Sequence, residues 1–110
     1  MSYSVSGTTI KLTRGDTCAI KISIFNSDGT PYEIQEGDSI RFAMKASYTD
    51  DEALLIKDIP TDTMTLVLEP DDTKPFEFGR YVYDIQLTTE GGIVSTFITK
   101  SFLRLEEEVE

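Results

Sequence analysis

The chain has no histidine, no tryptophan and one cysteine, Cys18, among its 110 residues. Without histidine there is no Ser-His-Asp or Cys-His relay, and most zinc and haem ligand sets are lost. A lone cysteine excludes an intrachain disulfide and an iron–sulfur centre held by several thiolates. Without tryptophan, the broadest ring for stacking on a sugar is missing. Basic residues are scarce: 10 Lys plus Arg stand against 20 Asp plus Glu, a net charge of −10. Wrapping a phosphate backbone requires a clustered excess of cations, so nucleic acid is not an expected partner. No apolar run approaches the roughly 20 residues of a membrane helix, so membrane insertion is not expected. Residues 1–7 lack both the basic start and the apolar core of a secretion signal. The expected site of folding is a reducing cytoplasm.

What the chain does have is alternation. Apolar residues at 39% and charged residues at 27% are globular proportions, and 110 residues suffice for one core. Residues 17–25 place Cys18, Ile20, Ile22 and Ile24 on one face, with Ala19, Lys21 and Ser23 opposite. Residues 38–46 align Ile40, Phe42, Met44 and Ala46, residues 62–68 align Met64, Leu66 and Leu68, and residues 79–87 align Tyr81, Tyr83, Ile85 and Leu87. Each pattern predicts a half-buried antiparallel strand. Weaker strands are expected over 8–12, 53–57, 93–99 and 101–105. Turn residues separate them: Asn26-Ser27-Asp28-Gly29-Thr30, Gln35-Glu36-Gly37-Asp38 and Thr89-Glu90-Gly91-Gly92, with a longer connection over 70–75. Only residues 50–54 suggest a helical turn.

About seven to eight short strands without a helical period indicate an all-β fold, either a two-sheet sandwich or a small barrel. The sandwich is favoured, because Gly79-Arg80-Tyr81 places a tyrosine where sandwiches often pin a corner. Residues 1–105 read as one domain. Residues 106–110, Glu-Glu-Glu-Val-Glu, read as an acidic tail that is either solvated or ordered on a partner.

Residues with chemical potential favour bland roles. Arg14-Gly15-Asp16 could ligate an integrin, but Gly15 also supplies a turn after Leu12. Asn26 with Asp28, Asp50 to Glu52, and Asp71 with Asp72 could offer oxygens to calcium, yet none shows the ligand spacing of a calcium loop. No pair of acids is set in the apolar surroundings that glycoside hydrolysis needs. Cys18 falls on an inward strand face, where a thiol behaves as a small hydrophobe. No cofactor or metal is expected, and catalysis is not. Phe25, Phe76 and Phe78 fit the strand phases least well and are the candidate interface residues, since exposed aromatics concentrate binding energy.

Several segments, taken in order, resemble the N-terminal immunoglobulin-like domain of phage baseplate upper proteins and related small prophage structural proteins. They are Leu12-Thr13-Arg14-Gly15-Asp16-Thr17, Asp28-Gly29-Thr30-Pro31, the strand over 39–46, Gly79-Arg80-Tyr81-Val82-Tyr83-Asp84-Ile85-Gln86-Leu87, and the ending over 96–103. The resemblance implies an immunoglobulin-like antiparallel β-sandwich. It also implies a structural role in a tail or baseplate, and synthesis in a bacterial cytoplasm before incorporation into the virion. Its partners would be other phage structural proteins or copies of itself in a homo-oligomer. The alternative is a ligand- or carbohydrate-binding accessory β-sandwich of a bacterial protein, which would use loops at one end.

Overall fold

A computed structural model of the chain describes residues 3–6, 8–26 and 28–106. Ser27 of the Asp-Gly turn and tail residues 107–110 lie outside the described residues. The strands are β1 (Tyr3–Ser6), β2 (Thr9–Thr13), β3 (Cys18–Lys21), β4 (Ser39–Lys45), β5 (Leu55–Ile59), β6 (Thr65–Leu68), β7 (Gly79–Thr88) and β8 (Val94–Glu106), with one short helix, α1 (Pro70–Thr73), after β6. The fold is all-β. One sheet has the order β1-β2-β8-β7-β4-β5, and β3 pairs with β6 in a second.

Alternation builds the core as expected. Ile10 and Leu12 of β2, Ile40, Phe42 and Met44 of β4, and Ile85 and Leu87 of β7 point to the same side. There they meet Cys18 of β3 and Leu66 and Leu68 of β6 in one buried cluster. Both sheets therefore share a single core. Tyr83, from β7, adds an aromatic contact to Phe42 with ring centroids 5.2 Å apart, and its hydroxyl donates to the Thr8 carbonyl.

One pairing corrects the antiparallel expectation: β2 and β8 run parallel, with Ile10 beside Leu103 and Leu12 beside Leu105. A tight hairpin can join only antiparallel neighbours. These two strands come from opposite ends of the chain, so no hairpin constrains their direction. The segments expected over 93–99 and 101–105 are a single strand. Tyr83 pairs with Ser101, Ile85 with Ile98 and Gln86 with Thr96, so β8 carries extra residues at two register shifts. Each bulge flips the inward phase, which is why Leu103 and Leu105 lie on odd positions while Ile98 packs on the core from an even one.

The helical turn also lies elsewhere. Residues 50–54 are irregular, whereas Pro70 opens α1 with its fixed φ, and Asp72 Oδ2 accepts the Glu69 N–H at 2.7 Å. β6 starts later than residue 62 because Met64 adopts φ 52°, and its N–H donates to the Pro60 carbonyl at 2.8 Å. β3 stops at Lys21, although Ile22 still donates to the Met64 carbonyl at 2.8 Å. Ile22 and Ile24 remain buried, so the alternation outlasts the ladder.

Two turns separated in sequence meet in space. Gly37 has φ 89°, and a Cβ there would lie 2.6 Å from the Glu90 Cβ. The 35–38 turn therefore packs against the β7–β8 hairpin through the one residue type that fits. At the start of β7 the Tyr81 hydroxyl donates to the Glu77 carbonyl at 2.7 Å, tying down the corner. No helix among the described residues is long and apolar enough to cross a membrane.

Candidate interaction surface

Arg14-Gly15-Asp16 turns the chain out of β2. Gly15 takes φ 88°, and Asp16 N–H donates to the Thr13 carbonyl at 3.1 Å. The turn is bound to the segment between β6 and β7. Gly15 N–H donates to Thr73 Oγ1 at 3.0 Å, with Thr73 buried at the end of α1. Arg14 Nη1 donates to the Phe76 carbonyl at 3.2 Å, and the guanidinium carbon lies 4.4 Å from the centre of the Phe78 ring. The arginine is thus engaged with its own chain, and the motif acts as a corner clamp. Thr73→Val keeps the side chain's shape but deprives the Gly15 N–H of its acceptor, so it should cost about 1–3 kcal/mol. Urea unfolding checks this, and Thr73→Ser, which keeps the hydroxyl, should lose clearly less.

The three candidate aromatics do not form one patch. Phe76 is half-buried against the core, with its ring 6.1 Å from that of Tyr81. Phe78 is 46% exposed and carries the Arg14 guanidinium on its face. Phe25 is 60% exposed and bridges Pro31 across the Asp-Gly turn. It lies past the far end of β3 from the Arg14 corner, about 20 Å away at the rise of an extended chain. Phe78 and Phe25 therefore offer separate contacts, and Phe76 offers a carbonyl rather than a ring.

A further surface lies on the outward face of the six-stranded sheet. Tyr48, 47% exposed, packs on Phe102 of β8 at 6.4 Å between centroids. The Arg80 guanidinium sits 4.6 Å above the same ring. Val82 lies between Phe102 and Lys45 in the ladder and is buried although it points away from the core. Ile56, on the β5 edge, is 52% exposed beside Ala43. The sequence carried a signal for this face. Val82 interrupts the outward series Arg80, Asp84 and Gln86, and Phe102 occupies an outward position between Ser101 and Leu103.

No protein-family model, curated protein or solved structure matches the chain.

The polar groups are mostly engaged in local structure. Asp28 Oδ1 accepts from the Thr30 hydroxyl at 2.6 Å and the Thr30 N–H at 3.0 Å, which lowers its pKa. Asp72 pairs with Lys57 at 3.0 Å, tying α1 to β5. Asp38 accepts from Tyr32 Oη and the Gln35 N–H, both at 2.8 Å, and the bond to Tyr32 raises that phenol's pKa. Among the described residues, no three acidic or thiol side chains gather as a metal site. Burial pushes the Cys18 thiol up to about 11, so it stays protonated at neutral pH. A depression of about 570 Å³ opens at one end of the outward face, where Arg41 meets Asp58 at 3.5 Å beside Gln86 and Thr88, and no aromatic ring lines it. What this arrangement offers chemically is contact: rings, guanidinium groups and aliphatic side chains on convex surfaces.

Proposed function

We propose that the chain is an immunoglobulin-like β-sandwich that acts without catalysis, by binding protein partners in the tail or baseplate of a phage or prophage particle. Strand order supports the immunoglobulin-like assignment. In variable-type domains G, F, C and C′ adjoin in one sheet, while B and E lie in the other. Here β8, β7, β4 and β5 occupy the first set of positions, and β3 and β6 the second. Tyr81 adds to it: a hydroxyl bonded to a carbonyl four residues upstream, at the start of the F-equivalent strand, is the tyrosine corner of that fold.

The observation that carries the functional reading is the apolar surface left in solvent at Phe78, Tyr48 and Ile56. Aromatic side chains next to arginine are the usual anchors of protein interfaces. Carbohydrate binding, the alternative, would use a concave site with a stacking ring. The depression beside Arg41 has no such ring, so the assembly reading is preferred. In that reading, subunits made in the bacterial cytoplasm are kept apart by their net charge of −10 until they dock. The test is quantitative mass spectrometry of particles purified from the source bacterium after prophage induction. The chain should be present in fixed ratio to tail proteins. Abundant chain in the cell extract but none in the particles would overturn the reading.

A further inference from the structure

Cations are scarce in this chain, yet three of them stand side by side. Lys11 of β2 is the ladder neighbour of Arg104 of β8, and Arg104 is directly opposite Arg80 of β7. All three are exposed on the outward face, in a row about 10 Å long at the usual strand spacing. Among the described residues none of the three makes an ion pair. Like charges on adjacent strands repel one another, so the row costs the isolated subunit stability unless an anion covers it. Next to it lie the Phe102 ring, beneath Arg80, and Tyr48.

We infer that the Lys11–Arg104–Arg80 row docks the acidic segment 106–110, Glu-Glu-Glu-Val-Glu, of a second copy of the chain. Charge complementarity argues for it: four carboxylates meet three cations on a body that is otherwise strongly acidic. The dimensions agree. In an extended segment Glu106, Glu108 and Glu110 share one side and span about 13 Å, within reach of three long basic side chains. Chain length favours a second copy over the segment's own subunit. Glu106 is still paired with Thr13 in β8. Reversing direction takes a four-residue turn, which would consume residues 107–110 before any of them reached Arg80, on the next strand over. The contact is head-to-tail, each copy giving one segment and receiving another, so repetition closes a ring or extends a row.

This contact deepens the assembly reading, and the two fail separately: presence in particles tests that reading, self-association tests this one. Sedimentation velocity of the purified full chain at low ionic strength should show mass rising with concentration and falling as salt is added. The double variant Arg80→Glu/Arg104→Glu, and a chain lacking residues 107–110, should each associate about ten- to a hundredfold more weakly. Mixed in equal amounts they should form a heterodimer and nothing larger, because one supplies an intact segment and the other an intact row. The truncation leaves the described strands untouched, so it decides the matter if the double variant fails to fold. Association of either variant at wild-type strength, or no complementation in the mixture, overturns the contact. So does a wild-type chain that stays monomeric at millimolar concentration, and if that chain binds a synthetic glutamate-rich peptide, the row serves another protein's acidic segment.

Discussion

Phe42→Ala should cost about 3–5 kcal/mol of unfolding free energy, read as a lower urea midpoint with little change in slope. Phe42 is fully buried on β4, a strand hydrogen-bonded on both sides, to β5 and β7. Its ring packs on Tyr83, whose hydroxyl is held at the Thr8 carbonyl near the start of β2. Truncation removes the transfer free energy of the ring and leaves a cavity. The paired strands around it cannot close that cavity without breaking ladder hydrogen bonds, so the cost belongs at the upper end for its type. A domain of this size has a net stability of about 5–15 kcal/mol, and the variant would keep a minority of it if the wild type lies in the lower half of that range. Phe25→Ala is the control. At 60% exposure, that ring should change stability by no more than about 0.5 kcal/mol. Similar losses at both positions would contradict a core centred on Phe42.

The contrast between these two phenylalanines shows what local pattern encodes. Phe42 falls in step with Ile40 and Met44, and a period of two places it inward whatever the strand pairs with. The same rule placed Cys18, Ile22 and Ile24 on the core side, although the ladder ends at Lys21. Phase failed where backbone geometry resets it. The β8 bulges add residues that split one strand into two apparent segments, and Met64, at φ 52°, delays the start of β6. Neither is marked by glycine or proline, the residues that usually punctuate a sequence. Pro70 is such a mark, and it opens a helix inside what reads as an irregular connection.

The surface was less legible than the core because it is assembled by pairing rather than by periodicity. Arg80 and Arg104 are far apart in sequence and opposite one another in the sheet. Lys11 joins them only through the parallel pairing of β2 with β8, the pairing that the strand pattern did not anticipate. Arg14 and Phe78 are likewise brought together by the α1 corner, where Thr73 receives the Gly15 N–H. Composition gave the correct total of charge, but no local window shows that the few cations share a face. What local pattern does expose is an outward apolar residue out of keeping with its neighbours. Val82 and Phe102 are two such residues, and both belong to the outward cluster.

Raising the pH should unfold the protein in a window set by two buried acids. Burial pushes the Cys18 thiol from 9.0 up to about 11 and the Tyr83 phenol from 10.0 up to about 12. The folded state favours the protonated form of each, so the unfolded chain gives up its protons first as pH rises. Their stabilisation is therefore complete below pH 9 for Cys18 and below pH 10 for Tyr83, and is lost as pH rises through about 11 and about 12. A two-unit shift corresponds to about 2–3 kcal/mol, so together the groups place about 5 kcal/mol at risk. Toward neutrality the absence of histidine matters again. No side chain with an ordinary pKa near 6.5 is present, so the melting temperature should be nearly flat between about pH 6 and 8. Thermal melts followed by circular dichroism from neutral to alkaline pH should show that plateau and then a steep fall. Cys18→Ala separates the two contributions: at a lower baseline, its decline should begin near the ordinary phenol value of 10.0 rather than the thiol value of 9.0. If the variant and the wild type decline in parallel from the same pH, the thiol is not the first group to act, and the early part of the fall must come from elsewhere in the fold.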